Sequence, residues 1–237
     1  MRIALVELIG YREWTESLGH DREWIIQAQQ ATVYRSLMVG ASRYGGFVFP
    51  LRYDYLLVVS TGLDRRVHER LLDTARLVSR LPVRMSSFAG PMPREAVLSA
   101  QRALQGVEAG ELHFEEGDDG VTVLAHVDIN DISKRTREEG LPGSLIVIHE
   151  LVSGIAKLAD RYGGIAQYLG GDNVLVLLPD SEYEGFAWEA VEAFDVKVGI
   201  GVAVRPREAM KLSSWALHKI RAGEEQGKIS VMRSGVG

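Results

Sequence analysis

The sequence of 237 residues contains no cysteine. This absence excludes disulfide bonds, zinc sites with thiolate ligands and a cysteine nucleophile. A metal site in this chain would therefore hold a hard ion through oxygen ligands, or a zinc ion through histidine and carboxylate alone.

The sequence also lacks a basic tract, and its formal net charge at pH 7 is −5. Both features argue against nucleic acid as the main partner. We find no apolar run long enough to cross a bilayer, and the charged residues Arg2 and Glu7 argue against a signal peptide. We therefore expect a cytoplasmic protein that binds neither nucleic acid nor a membrane.

An internal repeat is the main positive signal. Tyr44-Gly45-Gly46 is followed by Asp54, and Tyr162-Gly163-Gly164 is followed at the same interval by Asp172. Downstream, Pro93-Arg94-Glu95-Ala96 matches Pro206-Arg207-Glu208-Ala209. The repeat predicts two similar domains, residues 1–110 and 120–237. Between them we expect a linker over 106–120, whose acidic run at its end is predicted to be a solvated loop.

Both domains are predicted to have the element order βαββαβ. The first has a strand at 3–8, a helix at 22–42, a hairpin at 46–60, a helix at 64–80, a strand at 83–88 and a helix at 93–105. The second has a strand at 121–128, a helix at 144–161, a hairpin at 165–178, a helix at 182–194, a strand at 196–202, a helix at 207–221 and a strand at 228–232. This order predicts an α+β protein of two tandem ferredoxin-like palm domains, with helices on one sheet face and the other face free.

A Gly-Gly-Asp-Asn turn, Gly170-Gly171-Asp172-Asn173, joins the two apolar strands of the second hairpin. Glycine permits positive φ and lets a ligand approach the backbone. Asp172 at the tip suits Mg²⁺ bound to phosphate groups, for which one or two carboxylates are enough. The alternative is an ordinary glycine-rich hairpin with a solvated aspartate.

A second carboxylate is predicted nearby. Alternation along 121–128 puts His126 and Asp128 on the free sheet face, with Asp128 at the end of the strand. Backbone N–H groups of the following turn, residues 130–133, could receive phosphate oxygens. Asp128 and Asp172 therefore predict a metal site between neighbouring strands. Alternatively, Asp128 only caps its turn.

These motifs resemble the catalytic palm of GGDEF-type diguanylate cyclases and class III nucleotidyl cyclases, and more closely the archaeal GTP cyclohydrolase III family. The similarity covers almost the whole chain. Its motifs are Tyr11-x-x-Trp14-Thr15, Gly45-Gly46, Phe49, Arg52-Tyr53-Asp54, Ala125 to Asn130, Gly170 to Asn173, and Lys219-Ile220-Arg221. The resemblance implies a Mg²⁺-dependent GTP cyclohydrolase of the IIa type. It would open the guanine imidazole ring and yield 2-amino-5-formylamino-6-ribosylamino-pyrimidinone 5′-phosphate and inorganic phosphate, for flavin or deazaflavin synthesis.

The resemblance also implies roles for individual residues. Asp128 and Asp172 match the metal ligands, and Ile129 matches a site whose backbone carbonyl can add a third ligand. The backbone that faces phosphate matches Gly170, Gly171 and the turn Asn130, Asp131, Ile132 and Ser133. Arg221 matches a basic residue that contacts the triphosphate, with Lys219 as the alternative because helix register is uncertain. Arg221 could instead only interact with the helix dipole.

The first domain departs from the pattern. Ile9 stands where the second domain has Asp128, and Arg52-Tyr53 replaces the two glycines, so we expect a degenerate metal site there. This domain could instead contribute to a guanine pocket, with Phe47, Phe49 and Tyr53 as stacking candidates and with Asp54 and Asn173 nearby. Such aromatic residues could equally be core.

Ring opening needs a group that protonates the departing nitrogen. His126 is the candidate because it shares a sheet face with Asp128, although such a histidine can also be purely structural. Two other functions stay open, namely a nucleotidyl or diguanylate cyclase using the same triphosphate site, and a GTP sensor without activity. The expected partners are GTP as substrate and further copies of the chain in a homo-oligomer.

Overall fold

Two separate five-stranded sheets organise the chain in the computed structural model, which describes residues 1–235. Each sheet belongs to its own compact unit. Unit 1 comprises Met1–Gly90 and Glu95–Gly120, and unit 2 comprises Pro91–Arg94 and the chain from Val121 onward.

The first sheet has the strand order β2-β3-β1-β4-β5. All its pairs are antiparallel except β4 with β5, which is parallel. The elements are β1 (Arg2–Leu8), α1 (Tyr11–Ser17), α2 (Glu23–Arg43), β2 (Phe47–Pro50), β3 (Tyr55–Val59), α3 (Arg65–Val78), β4 (Val83–Ala89), α4 (Pro93–Leu104) and β5 (Leu112–Phe114).

The second sheet repeats this arrangement in the order β10-β9-β6-β8-β7, with only β9 and β10 parallel. Its elements are β6 (Thr122–Ile129), α5 (Ile132–Arg161), β7 (Ile165–Gly170), β8 (Asn173–Leu178), α6 (Tyr183–Ala193), β9 (Val196–Ala203), α7 (Pro206–Ala222) and β10 (Ile229–Arg233). In both sheets four strands form the ferredoxin-like βαββαβ core, and a further helix leads to a parallel edge strand. The predicted fold class of two tandem ferredoxin-like domains is confirmed.

The prediction of a free sheet face is wrong for both units. In unit 1, Leu5 of β1 is buried against Ala100 and Leu104 of α4. One face of β6 packs Val123, Ala125 and Val127 against α5 and α6, as the alternation predicts. The opposite face is covered by α7, so that Leu124 is fully buried and Asp128 is only 5% exposed. The order βαββαβ did not specify where the helix after the last core strand would pack.

Glycines on β9 allow α7 to approach so closely. A Cβ added at Gly201 would lie 1.9 Å from the carbonyl oxygen of Ala209, and one at Gly199 would lie 2.4 Å from that of Ser213. Any side chain at these positions would collide with the helix backbone. Backbone-to-sheet contact therefore holds α7, and the residues it carries, firmly over β6 and β9.

Several local predictions need correction. The motif Tyr11-x-x-Trp14-Thr15 lies in the helix α1, which the predicted element order did not include, and the predicted linker contains the strand β5. Asp119, predicted to be solvated, accepts a hydrogen bond from Arg2 Nε at 2.6 Å and another from the Gly62 amide at 2.7 Å. The buried Arg2 guanidinium needs a counter-charge, which explains why this acidic segment folds back onto β1.

Helix α5 is longer than predicted. It begins at Ile132 rather than 144 and is interrupted at Gly140, whose φ of 79° and ψ of 167° are non-helical. By length and composition alone this helix could cross a membrane, contrary to expectation. Ile148, Ile155, Leu158 and Ala159 of this helix are nevertheless buried in the core of unit 2. One side of this helix is therefore part of that core, while Leu141 and Ile146 nearer its start are exposed.

Candidate active site

The tip of the β7–β8 hairpin lies beside the end of β6. Asp128 pairs with Asn173 in the strand register, and the Ile129 amide donates to the Asp172 carbonyl oxygen at 2.9 Å. Gly170 and Gly171 have φ values of 105° and 61°, which a residue with a Cβ adopts only under strain. The turn thus brings together Asp128, Ile129 and Asp172, the three residues predicted as metal ligands.

The carboxylate of Asp128 is held by Arg221. Arg221 Nε lies 3.0 Å from Asp128 Oδ2, and a second guanidinium nitrogen donates to Oδ1. This hydrogen bond to Asp128 is the main cause that raises the pKa of Arg221 above its ordinary value. Since Asp128 is nearly buried, the last turn of α7 supplies the positive charge that this carboxylate requires.

Lys219 is directed elsewhere. Residues two apart on a helix point roughly 200° apart, and Lys219 Nζ lies 6.0 Å from the centre of the Trp215 ring. Of the two basic residues predicted to contact the triphosphate, Arg221 is therefore the one beside the carboxylates.

His126 is hydrogen-bonded through both ring nitrogens. Nε2 lies 2.8 Å from Asn173 Oδ1, and Nδ1 lies 3.4 Å from the hydroxyl of Ser214 on α7. The other end of the Asn173 amide donates from Nδ2 to Asp172 Oδ1 at 2.6 Å. Burial lowers the pKa of His126 below its ordinary value, while the hydrogen bond to Asn173 opposes this shift. His126 is therefore a neutral imidazole at neutral pH, tied to the hairpin tip.

The turn after β6 only partly matches the phosphate-binding prediction. The prediction is wrong for Asn130, because its amide N–H donates to the Asp195 carbonyl oxygen at 3.1 Å and its side chain contacts Asp195 and Lys197. Asp131 has a left-handed φ of 58° and starts α5 without a side-chain cap. The first intrahelical bond runs from the Arg135 amide to the Asp131 carbonyl. The amides of residues 132–134, which include Ile132 and the exposed Ser133, thus have no carbonyl partner within the helix.

The donor set fits a hard cation better than a soft one. Over residues 1–235 no cluster of three or more histidine, aspartate or glutamate side chains could hold a metal ion. The available ligands are two carboxylates and backbone carbonyls. Mg²⁺ suits such a set because it keeps several waters and completes its shell with substrate phosphates.

Comparison with known proteins decides the family. The sequence profile of GTP cyclohydrolase III matches residues 1–234. The chain belongs to the GTP cyclohydrolase III family.

Relatives of this family match over nearly their full length. The GTP cyclohydrolase III of Aeropyrum pernix is 40% identical over 98% of this chain and 96% of its own. That of Pyrobaculum calidifontis is 38% identical over 93% and 95%, and that of Saccharolobus solfataricus is 32% identical over 95% and 97%.

Solved structures similar to the chain are GGDEF-type domains. The active GGEEF domain of a Vibrio cholerae diguanylate cyclase has a TM-score of 0.41 and 12% identity, over 61% of this chain and 93% of that one. A coiled-coil and GGDEF domain from Caulobacter crescentus, in complex with c-di-GMP, has a TM-score of 0.40 and 16% identity, over 48% and 70%.

In this member of the GTP cyclohydrolase III family, the hairpin tip of unit 1 shows that Ile9 is not the counterpart of Asp128. The Leu8 amide donates to the Asp54 carbonyl at 2.9 Å, as Ile129 does to Asp172, and Glu7 pairs with Tyr55 as Asp128 pairs with Asn173. Glu7, not Ile9, therefore occupies the position of Asp128. No local motif indicated this register, although Glu7 is the only acidic residue in β1.

At the hairpin tip of unit 1, the carboxylates of Glu7 and Asp54 are each paired with an arginine. Glu7 accepts hydrogen bonds from Arg84 Nε at 2.6 Å and from the Tyr55 hydroxyl at 2.8 Å. Asp54 accepts from Arg52 at 2.5 Å. Burial and the hydrogen bond to Glu7 raise the pKa of Tyr55 to about 12, so its hydroxyl stays a donor.

The guanine-pocket candidates have different environments. Phe49 is fully buried and packs edge-on against Phe47 at 5.5 Å between ring centres, so the prediction that Phe49 stacks on a ligand is wrong. Tyr53, in left-handed conformation with a φ of 67°, is 36% exposed at the tip. Asp54 is bonded to Arg52, and Asn173 belongs to the carboxylate site of unit 2. Sequence reasoning missed Ser214, because no motif indicated that α7 covers His126.

Proposed function

We propose that this chain is a Mg²⁺-dependent GTP cyclohydrolase that opens the guanine imidazole ring and retains the formyl group. The products would be 2-amino-5-formylamino-6-ribosylamino-pyrimidinone 5′-phosphate and inorganic phosphate. The observation that carries the proposal is the convergence of Asp128, Ile129 and Asp172 at one hairpin tip, in a chain matched by the family profile over residues 1–234. The relatives named GTP cyclohydrolase III support the substrate.

The two carboxylates and the Ile129 carbonyl would hold the ion. When bound, Mg²⁺ offsets the negative charge of the triphosphate and polarises its oxygens. Gly170 and Gly171 carry no side chain, and a Cβ added at Gly170 would meet no atom within 4 Å, so there is room for a phosphate beside this backbone. The amides of residues 132–134 at the start of α5 would donate to phosphate oxygens, and the helix dipole favours an anion there.

Arg221 would exchange partners during binding. Its guanidinium occupies the Asp128 oxygens that a metal ion needs. A metal ion held by Asp128 would need these oxygens, and the guanidinium would then be available to the triphosphate, for which its planar donors are suited. Metal and nucleotide would then bind together, because the metal ion would neutralise the Asp128 carboxylate and the triphosphate would neutralise the Arg221 guanidinium.

Product analysis after incubation with GTP and Mg²⁺ tests the proposal. Loss of the purine absorbance, with an open-ring pyrimidine monophosphate and inorganic phosphate by mass spectrometry, is the expected result. A nucleotidyl or diguanylate cyclase would keep the purine spectrum and release pyrophosphate. Formate among the products would mean that the C8 carbon also leaves, and unaltered GTP would indicate a sensor.

A further inference from the structure

A short chain of hydrogen bonds connects His126 to the carboxylate of Asp172. His126 Nε2 contacts Asn173 Oδ1 at 2.8 Å, and Asn173 Nδ2 contacts Asp172 Oδ1 at 2.6 Å. All three groups lie at the start of β8 or across from it on β6. The imidazole reaches the carboxylate only through the amide of Asn173.

The surrounding strands and helix restrict the ring. His126 stands opposite Leu175 on one side and Gly199 on the other. Helix α7 lies over this face and offers the Ser214 hydroxyl to the second ring nitrogen at 3.4 Å. The ring is thus held in one orientation.

The direction of these hydrogen bonds follows from the donors available. Asp172 as a carboxylate only accepts, so the Asn173 NH₂ group must face it. The Asn173 carbonyl oxygen then faces His126 and needs a donor, which is Nε2–H. Without that donor the amide oxygen would lose its partner on β6, and the amide could rotate away from Asp172. His126 therefore holds the amide in the position in which its NH₂ group meets Asp172.

We propose that His126 is a positioning residue that orients Asp172 through Asn173, rather than the group that protonates the substrate. By holding Oδ1, the amide fixes the carboxylate and leaves Oδ2 for a metal ion. This inference rests on the proposed function, in which Asp172 is a metal ligand. It replaces the catalytic role that the sequence suggested for His126.

Two substitutions separate the positioning role from proton donation. His126→Gln places an amide nitrogen close to the position of Nε2, so it can donate to Asn173 but cannot titrate. His126→Phe fills the site without a donor. Binding of Mn²⁺ alone to the full chain, followed by electron paramagnetic resonance, reports the carboxylate site independently of turnover, and GTP consumption is measured alongside.

We expect His126→Gln to bind Mn²⁺ within about threefold of the wild type and to retain turnover. His126→Phe should bind Mn²⁺ about tenfold more weakly, which corresponds to one lost net hydrogen bond. Its turnover should recover at raised Mg²⁺ concentration, because metal occupancy and not proton transfer limits it.

The outcomes distinguish this inference from the proposed function. Wild-type protein whose Mn²⁺ binding is absent, or unchanged by Asp172→Asn, would contradict the metal site itself. A His126→Gln protein that binds Mn²⁺ normally but does not consume GTP would overturn the positioning role and restore the proton donor. Unchanged metal affinity and turnover in a folded His126→Phe protein would also overturn it. If His126→Phe does not fold, as judged by circular dichroism, the His126→Gln result decides alone.

Discussion

At the scale of single residues, the carboxylates of the two hairpin tips differ in their partners. Asp172 is held by a neutral amide and keeps one oxygen clear of the Asn173 contact. Glu7 and Asp54 in unit 1 are held by Arg84 and Arg52. Asp128, the counterpart of Glu7, is likewise held by an arginine, Arg221. The two tips therefore differ at Asp172 and Asp54, because only Asp54 has a guanidinium partner that competes with a metal ion.

This difference predicts unequal effects of matched substitutions. Asp172→Asn should lower kcat/KM by roughly a hundredfold or more, since a metal ion contributes several kcal/mol to charge stabilisation. Asp54→Asn should change kcat/KM by less than about threefold, because Asp54 only loses its ion pair with the exposed Arg52. Steady-state kinetics with GTP measures both. Equal losses in the two variants would show that both tips take part in the reaction.

We expect the substitution Arg221→Gln to strengthen metal binding, whereas loss of a carboxylate weakens it. Without the guanidinium, the field at Asp128 and Asp172 is more negative, so the affinity for Mn²⁺ in the absence of nucleotide should rise. The KM for GTP should rise about tenfold through loss of one charged phosphate contact. Lys219→Gln is the matched control, because it removes the same charge from the same helix without touching either carboxylate. If Lys219→Gln alters metal binding as much, direct competition at Asp128 is wrong.

At the scale of elements, helix α7 links the fold to the site. Its backbone packs closely against Gly199 and Gly201 of β9. In this position, Ser214 of the helix contacts His126 and Arg221 contacts Asp128. Small residues at the contact thus determine where a guanidinium and a hydroxyl are presented.

Gly201→Ala should therefore destabilise the protein. The added methyl would lie 1.9 Å from a backbone oxygen, and relieving this collision requires α7 to shift. We expect the free energy of unfolding to fall by about 3 kcal/mol, at the upper end for overpacking. Gly90→Ala, whose Cβ meets nothing closer than 3.7 Å, is the control and should cost less than about 1 kcal/mol. Urea unfolding followed by tryptophan fluorescence measures both, and similar values would argue against close α7 packing.

At the scale of the whole molecule, unit 1 contains a buried polar network that affects stability. His68 is fully buried, with Nδ1 2.8 Å from the Asp64 carbonyl oxygen and Nε2 2.9 Å from the Ser60 hydroxyl. The nearly buried Arg2 also bonds to Ser87 and Asp119 in this network. Burial is the main cause that lowers the pKa of His68, and Arg2 lowers it further, while Asp64 and Asp119 oppose the shift.

A lowered pKa in the folded state makes stability depend on pH. Between the folded pKa and the ordinary value near 6.5, the unfolded chain binds the proton and the folded chain does not. The stabilisation by neutral His68 is complete above about pH 6.5 and is lost as pH falls through the folded pKa. The Tm of the wild type should therefore drop from pH 7.5 to pH 5. His68→Asn keeps a donor near Nδ1 without the titration, so its Tm should depend less steeply on pH, and an unchanged slope would contradict the role of His68.

The sequence by itself determined the features that depend on local pattern. The repeat of Tyr-Gly-Gly and Asp, the alternation along β6 and the helical spacing in α5 predicted the tandem βαββαβ order. The glycine pair before Asp172 predicted the hairpin tip, because glycine adopts positive φ without the steric cost that other residues have. Each of these signals is a short pattern in the order of residues, so the sequence alone reveals it.

Only the tertiary structure decided which groups meet at the site. The position of α7 over β6, the choice of Arg221 over Lys219, and the equivalence of Glu7 with Asp128 depend on contacts between residues far apart in the chain. So does the burial of Phe49. Strand register and helix placement follow from hydrogen bonds and close packing across the sheet, and a shift of one residue turns each side chain to the opposite face. Local sequence does not encode that choice, and the packed structure does.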